Sequence, residues 1–271
     1  MNQAEKGIAF RALHDAPGAF VIANPWDAGS AKLLTALGFK ALATSSGAKA
    51  GVLGRVDGRV TLEEACHNAR TIVEATDLPV SADMEKGFGD TPADAAAAIA
   101  MAASIGLVGA SIEDATGDPA RPLMDIGLAA ERIAAAARIA HGFGFPFLLT
   151  ARTENYLRGN PDLKDTIARL QAFEAAGADV LMAPGLPDLD AVRAVCSSVS
   201  RPVNFMAGIR GRSFSVAELT EAGVKRISLA TSLFRAAMTG LLDAATEVRD
   251  LGTFGYLDGT MPTPEWNKYM T

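Results

Sequence analysis

Asp83 and Glu85 lie in Pro79-Val-Ser-Ala-Asp-Met-Glu-Lys-Gly-Phe-Gly-Asp90, where a run of small and β-branched residues ends in two carboxylates and a glycine-punctuated turn. Side chains two apart on a strand point to one face, so this spacing predicts both carboxylates leaving a strand end together. Like charges that close repel unless a cation stands between them, and a hard divalent metal ion suits oxygen donors. Three further clusters close short apolar runs: Thr44-Ser-Ser-Gly-Ala48, Glu113-Asp114 and Arg152-Thr-Glu154, with Asn204 near the end of a later run.

These residue types fit one kind of chemistry. Mg²⁺, or Mn²⁺, held by few carboxylates keeps coordination positions open for a substrate's own oxygens. A 2-oxo or 2-hydroxy acid can chelate such an ion through its carboxylate and the adjacent oxygen. Arg152 offers a bidentate fork to a second carboxylate. Ser46 and the backbone amides of Gly47 and Ala48 offer hydrogen bonds to a carboxylate or a developing enolate oxygen. Bond cleavage alpha to a carbonyl is the reaction class such a set serves. Asp57, in Leu53-Gly-Arg-Val-Asp-Gly58, is either a turn residue or a further acid of the site. Trp26-Asp27 either lines the site or caps the helix that follows.

The elements that must position these groups alternate. Short β-leaning runs fall at Phe20–Ala23, Ala41–Thr44, Pro79–Ala82, Gly109–Ile112, Phe147–Thr150, Val180–Met182, Pro202–Phe205 and Arg226–Leu229. Helical spacing fills the gaps, as in Ala28–Leu37, Leu62–Ala75, Ala93–Ser104 and Leu128–His141, and several helices end in a Gly-centred turn. Strict β/α alternation implies a parallel sheet with right-handed crossovers. Eight such units point to a closed (β/α)₈ TIM barrel as one domain spanning 1–271, with catalytic groups at the C-terminal strand ends. The first turn, Asn24-Pro-Trp-Asp-Ala-Gly-Ser30, is no nucleotide fingerprint, which disfavours a doubly wound sheet. The segment 231–271 is a long helical pattern followed by exposed-type aromatics, suited to a subunit interface.

Composition narrows the partners. A net charge of −6 with scattered arginines argues against nucleic acid or an anionic membrane. No apolar stretch is long enough to span a bilayer, and the start carries no signal-peptide pattern, so a cytoplasmic location is expected. Cys66 and Cys196 read as reduced helix thiols, and His14, His67 and His141 as surface or helix-end residues.

In order and spacing, Ser45-Ser-Gly-Ala48, the Asp83-to-Gly89 stretch, Ile112-Glu-Asp114 and Thr150-Ala-Arg152-Thr-Glu154 resemble the isocitrate lyase/phosphoenolpyruvate mutase superfamily. The resemblance covers nearly the whole barrel from Asn24. It implies a barrel whose last helix is swapped between subunits in dimers or tetramers. It implies Mg²⁺ contacted, largely through water, by Asp57, Asp83, Glu85 and Glu113. Catalytic roles fall on Asp57, Glu113 and Arg152, and substrate binding on Ser46, Gly47, Ala48 and Arg152, with Asn204 and Trp26 as further candidates. Isocitrate-type lyases carry a cysteine and a histidine in the loop after Glu-Asp, and the phosphonomutases a lysine. Here the loop reads Ala115-Thr-Gly-Asp-Pro-Ala-Arg-Pro-Leu-Met-Asp125, with none of the three. The expected activity is therefore C–C cleavage of a small 2-oxo or 2-hydroxy dicarboxylate by decarboxylation or retro-aldol/retro-Claisen chemistry. The alternatives are P–C chemistry on phosphonopyruvate and 2-oxo acid binding without turnover. Arg121, the long cation of that loop, is expected to face the substrate when the loop closes.

Overall fold

Small and branched residues in runs of two to five build the strands seen in a computed structural model, which describes residues 1–270. The strands are β1 (Phe20–Ile22), β2 (Leu42–Ala43), β3 (Val80–Asp83), β4 (Gly109–Glu113), β5 (Leu148–Arg152), β6 (Val180–Met182), β7 (Val203–Met206) and β8 (Arg226–Ser228). All pair in parallel in the order β1-β8-β7-β6-β5-β4-β3-β2. A bridge between Ala23 and Leu42 joins β1 to β2 and closes the ring. The (β/α)₈ barrel expected from the alternation is the fold.

The helices are α1 (Gln3–Asp15), α2 (Ala28–Ala36), α3 (Ser46–Val52), α4 (Leu62–Glu74), α5 (Pro92–Ser104), α6 (Ile126–Ala140), α7 (Leu163–Ala175), α8 (Leu189–Ser197), α9 (Val216–Glu221), α10 (Ser232–Leu251) and α11 (Thr263–Met270). Reciprocal capping boxes start five of them, at Asn2/Glu5, Asp27/Ser30, Thr61/Glu64, Thr91/Asp94 and Ser215/Glu218. Each satisfies first-turn amides that have no partner within the helix. Asp27 is thus a cap. Ala82, Ile112, Ala151 and Leu181 face the helices and join a core with Leu34, Ile72, Ile99, Ile133, Leu170 and Val192. The alternate residues turn toward the barrel axis.

Three helices, α1, α3 and α11, went unread in the sequence. α3 follows β2 directly. α1 closes the bottom of the barrel: Phe10 is fully buried with Ile22, Ala41, Val108 and Leu148. His14 is not a surface residue. It is buried, edge-on to Phe10 and Phe20, with Nδ1 2.8 Å from the Phe10 carbonyl and Nε2 3.5 Å from Arg226. Cys66 and Cys196 are free thiols on α4 and α8. At the other end of the chain no residue of α10 is buried, and Leu241, Leu242 and Leu251 are exposed. α11 folds back on α2, where Lys32 donates to the Met270 carbonyl at 2.6 Å. No helix among the described residues is long and apolar enough to cross a membrane.

Burial, and then the Arg226 charge, push the His14 imidazole down to about 3. Between its ordinary pKa of about 6.5 and that value, the unfolded chain binds a proton that the folded chain refuses, so stability falls as pH is lowered. At pH 5 the loss is about 2 kcal/mol. Urea unfolding at pH 7 and pH 5 should show the wild type losing about 2 kcal/mol more than His14→Gln; equal losses would show that the imidazole is not held neutral.

Candidate active site

Asp83 ends β3, and its carboxylate is fixed by the backbone around it. Oδ1 accepts from the Glu85 amide at 3.0 Å and Oδ2 from the Ser46 amide at 3.2 Å. The chain then turns sharply: Glu85 (φ 52°) and Phe88 (φ 59°) are left-handed non-glycine residues on either side of Gly87 (φ 82°). Glu85 has therefore left the strand, and the expected shared strand face does not form. Its carboxylate instead reaches Lys49 Nζ at 3.2 Å. Lys49 is a buried lysine on α3 that also lies over the Phe88 ring at 5.4 Å.

Arg132 holds this turn. It is 1% exposed, and its guanidinium donates to the carbonyls of Lys86, Gly89 and Thr91, the last two at 3.0 Å. A Cβ on Gly87 would stand 3.2 Å from the Ala95 Cα and 3.6 Å from that guanidinium, so the turn packs closely as well as bending.

β4 and β5 bring the next groups together, because their register sets Glu113 beside Arg152. Arg152 is shared among three acids: Nε lies 2.6 Å from Glu154 and 3.5 Å from Glu113, and Nη1 3.8 Å from Asp83. Its fork is engaged rather than free. Arg158, four residues beyond Glu154, meets Glu154 at 3.0 Å and Glu113 at 3.6 Å. Beneath them Asp114 accepts from the Glu154 amide and Thr153 hydroxyl at 2.8 Å each and pairs with Arg169 at 3.2 Å, tying the ends of β4 and β5 together.

The charges do not balance. Asp83, Glu85, Glu113 and Glu154 face Lys49, Arg152 and Arg158. Burial, with Glu154 and Asp83 and against the pull of Arg152, pushes the Glu113 carboxyl up to about 8. Burial opposes ionisation of Asp83 too, but Arg152, Lys49 and the two amides outweigh it and hold that carboxyl below its usual range.

Above these groups opens a cavity of about 370 Å³ lined by Ser46, Asp57, Glu85, Glu113, Arg152 and Arg158, with Ala115 and Gly117 from the following loop. Gly47 and Ala48 lie in the first turn of α3, whose N-cap Ser45 supplies no side-chain cap. A Cβ on Gly47 would come within 2.9 Å of Thr231 Oγ1 and 3.4 Å of Asp57 Oδ2, so Asp57 closes over this segment. Asn204 lies deeper, donating to Ser228 at 3.0 Å and accepting from Arg226 at 2.9 Å. Trp26 does not join the group; it lines a separate cavity with Val52, Leu53, Glu63 and His67, edge-on to Phe234. Arg121 is exposed and pairs with Asp118 at 3.6 Å, on the outside of a small hairpin formed by the 115–125 loop.

A model of the phosphoenolpyruvate phosphomutase family matches residues 10–249. The chain belongs to this family. It is 31% identical over 248 residues to an uncharacterised Mycobacterium tuberculosis protein, covering 90% of each. It is 29% identical over 255 residues to an oxaloacetate decarboxylase of Paraburkholderia xenovorans, covering 88% of this chain and 81% of that one. Among solved structures, a Burkholderia cenocepacia protein provisionally described as a lyase/mutase superposes with a TM-score of 0.97 at 49% identity, covering 98% and 96%. This family member is an enzyme, a carbon–carbon lyase of the isocitrate lyase/phosphoenolpyruvate mutase type.

Among the described residues no three His, Cys, Asp or Glu side chains gather closely enough to hold an ion by themselves. The donor set still fits a hard, hydrated cation that takes few protein ligands, because every acid offered is an oxygen donor and the acids outnumber the resident cations. Lys49, Arg158 and Arg132 belong to this site without having been singled out for it in the sequence. A lysine three residues after Ser46, and an arginine four after Glu154, were the available signals.

Arg132→Met removes three hydrogen bonds from a buried cation, two of them to the Lys86 and Gly89 carbonyls, which have no other partner among the described residues. It is expected to cost about 3–5 kcal/mol in urea unfolding and to speed amide exchange across residues 84–91. A change below about 0.5 kcal/mol would show that the turn holds without it.

Proposed function

We propose that the protein is a divalent-metal-dependent lyase that cleaves a C–C bond in a small 2-oxo or 2-hydroxy dicarboxylic acid, an oxaloacetate-like compound, through an enolate. The observation carrying this reading is the convergence of Ser46, Glu85, Glu113 and Arg152 on one cavity at the C-terminal barrel rim, with Asp83 held against the Ser46 amide and Arg152. The likeness to an oxaloacetate decarboxylase supports it.

Asp83, with Glu85 and Glu113 around it, would hold Mg²⁺ or Mn²⁺, which when bound supplies Lewis-acid stabilisation of negative charge on substrate oxygens. The chain's own groups do the rest. The Gly47 and Ala48 amides and the Ser46 hydroxyl donate to the oxygens of the 2-oxo acid, including the one that becomes the enolate oxygen. Arg152, already drawn toward three acids, orients a substrate carboxylate; Arg158 adds a second guanidinium on the same cavity wall. In decarboxylation the bond to the distal carboxylate breaks, its electron pair passes to the carbonyl as the enolate, CO₂ departs, and the enolate carbon takes up a proton. No thiol or imidazole acid is required for that sequence, which agrees with a 115–125 loop free of cysteine and histidine. Asp57, beside Gly47 on the same cavity, would touch the reacting end.

The exposed leucines of α10 support a second copy of the chain as partner, in a dimer or tetramer. Light scattering on the same preparation reads that state directly.

With Mg²⁺ and a panel of 2-oxo and 2-hydroxy dicarboxylates, proton NMR should show a C–C cleavage product from at least one acid. Arg152→Lys should lower kcat/KM for it about 10²–10³-fold. Phosphonopyruvate in the same panel, followed by phosphorus NMR, distinguishes P–C chemistry. Metal-dependent binding with no product from any acid would leave a binding protein and end the lyase reading.

A further inference from the structure

The interior below the rim is unusually polar. Barrels of this class ordinarily fill the axis with layers of Val, Ile and Leu. Here Ser81, Ser111, Asn204, Arg226 and Ser228 line a cavity of about 50 Å³ whose upper end reaches Asp83 and Arg152. By that measure one water takes roughly 10–15 Å³, so the space suits one small ion with a few waters.

Arg226 sets its charge. It is 5% exposed, and its partners are neutral: Nε donates to Asn204 Oδ1 at 2.9 Å, Nη2 to Thr150 Oγ1 at 2.8 Å, and Nη1 lies 3.5 Å from His14 Nε2. Arg152 and Arg169 each meet at least two carboxylates. Among the described residues, Arg226 meets none. A guanidinium has five N–H donors, so two of its donors have no protein acceptor. Burial alone pushes Arg226 below the usual arginine range, the sign of a charge with nothing opposite it. Asp83, the one acid on the cavity wall, already faces Arg152 at 3.8 Å. The Ser81 and Ser111 hydroxyls, without a protein partner among the described residues, can turn their protons into the space.

We propose that this cavity binds a small monovalent anion, of halide or nitrate size, held against the Arg226 guanidinium with the Ser81 and Ser111 hydroxyls around it. The anion supplies the missing counter-charge of the barrel interior, one layer below the acid rim. This site stands independently of the proposed reaction.

Wild-type crystals soaked in sodium bromide, measured at the bromine edge, should show an anomalous peak in contact with Arg226. In solution, bromide should raise Tm by about 2–4 °C over gluconate at equal ionic strength. Arg226→Met should lose that rise. Where that variant fails to fold, Ser111→Val, which fills the cavity and leaves the cation in place, serves the same purpose. A cavity holding only water overturns the proposal, as does a bromide peak with no salt-specific rise in Tm, which marks an adventitious ion only. Soaking with oxalate separates two sources of negative charge. Bromide retained beside bound oxalate supports a free-anion site. Oxalate displacing it against Arg226 assigns the cavity to the organic acid and overturns the free-anion form.

Discussion

One guanidinium, that of Arg152, stands where three strand ends meet and divides its charge among Asp83, Glu113 and Glu154. Bringing three carboxylates so close in a buried setting is strongly unfavourable without a cation at their centre. The register of β4 on β5 puts that cation beside Glu113, and the Arg158 and Lys49 charges extend the arrangement to either side. The resulting cluster keeps a surplus of acid, carried by a Glu113 carboxyl that burial makes hard to ionise. That surplus turns a structural ion network into a place for an added cation and an acid substrate.

The rest of the fold serves this cluster. The Asp114 network locks the ends of β4 and β5, and Arg132 fixes the left-handed turn carrying Glu85. Gly47 lets α3 approach Asp57 and Thr231 closely, with Ser46 on the cavity wall. Each device acts on backbone, as expected where side chains must be held within fractions of an ångström of a working geometry. Membership of the phosphoenolpyruvate phosphomutase family agrees with this architecture, and the 115–125 loop of this chain carries no cysteine, histidine or lysine.

The strands were legible to within a residue or two, because buried parallel strands are short apolar runs between glycine-ended helices. The acids at their ends were legible for the same reason: a charged residue closing such a run has only the rim to occupy. Local pattern could not show the long-range partners. The burial of Lys49 depends on Glu85 and Phe88 arriving from another strand. His14 sits in a polar segment whose role as a floor appears only when Phe10 meets the strand starts. Glu85 was read as strand because two-residue spacing was extrapolated past Asp83, whereas Gly87 and its neighbours had already turned the backbone left-handed. α3, short and glycine-containing, has too little periodicity to declare itself.

The central claim, that the rim acids hold a divalent ion which in turn holds a 2-oxo acid, is tested most directly by calorimetric titration of oxalate with and without Mg²⁺. Wild-type protein should bind oxalate only when Mg²⁺ is present, and Asp83→Ala should show no such dependence and little binding. Equal oxalate affinity in the two proteins, or binding indifferent to the metal, would contradict the account.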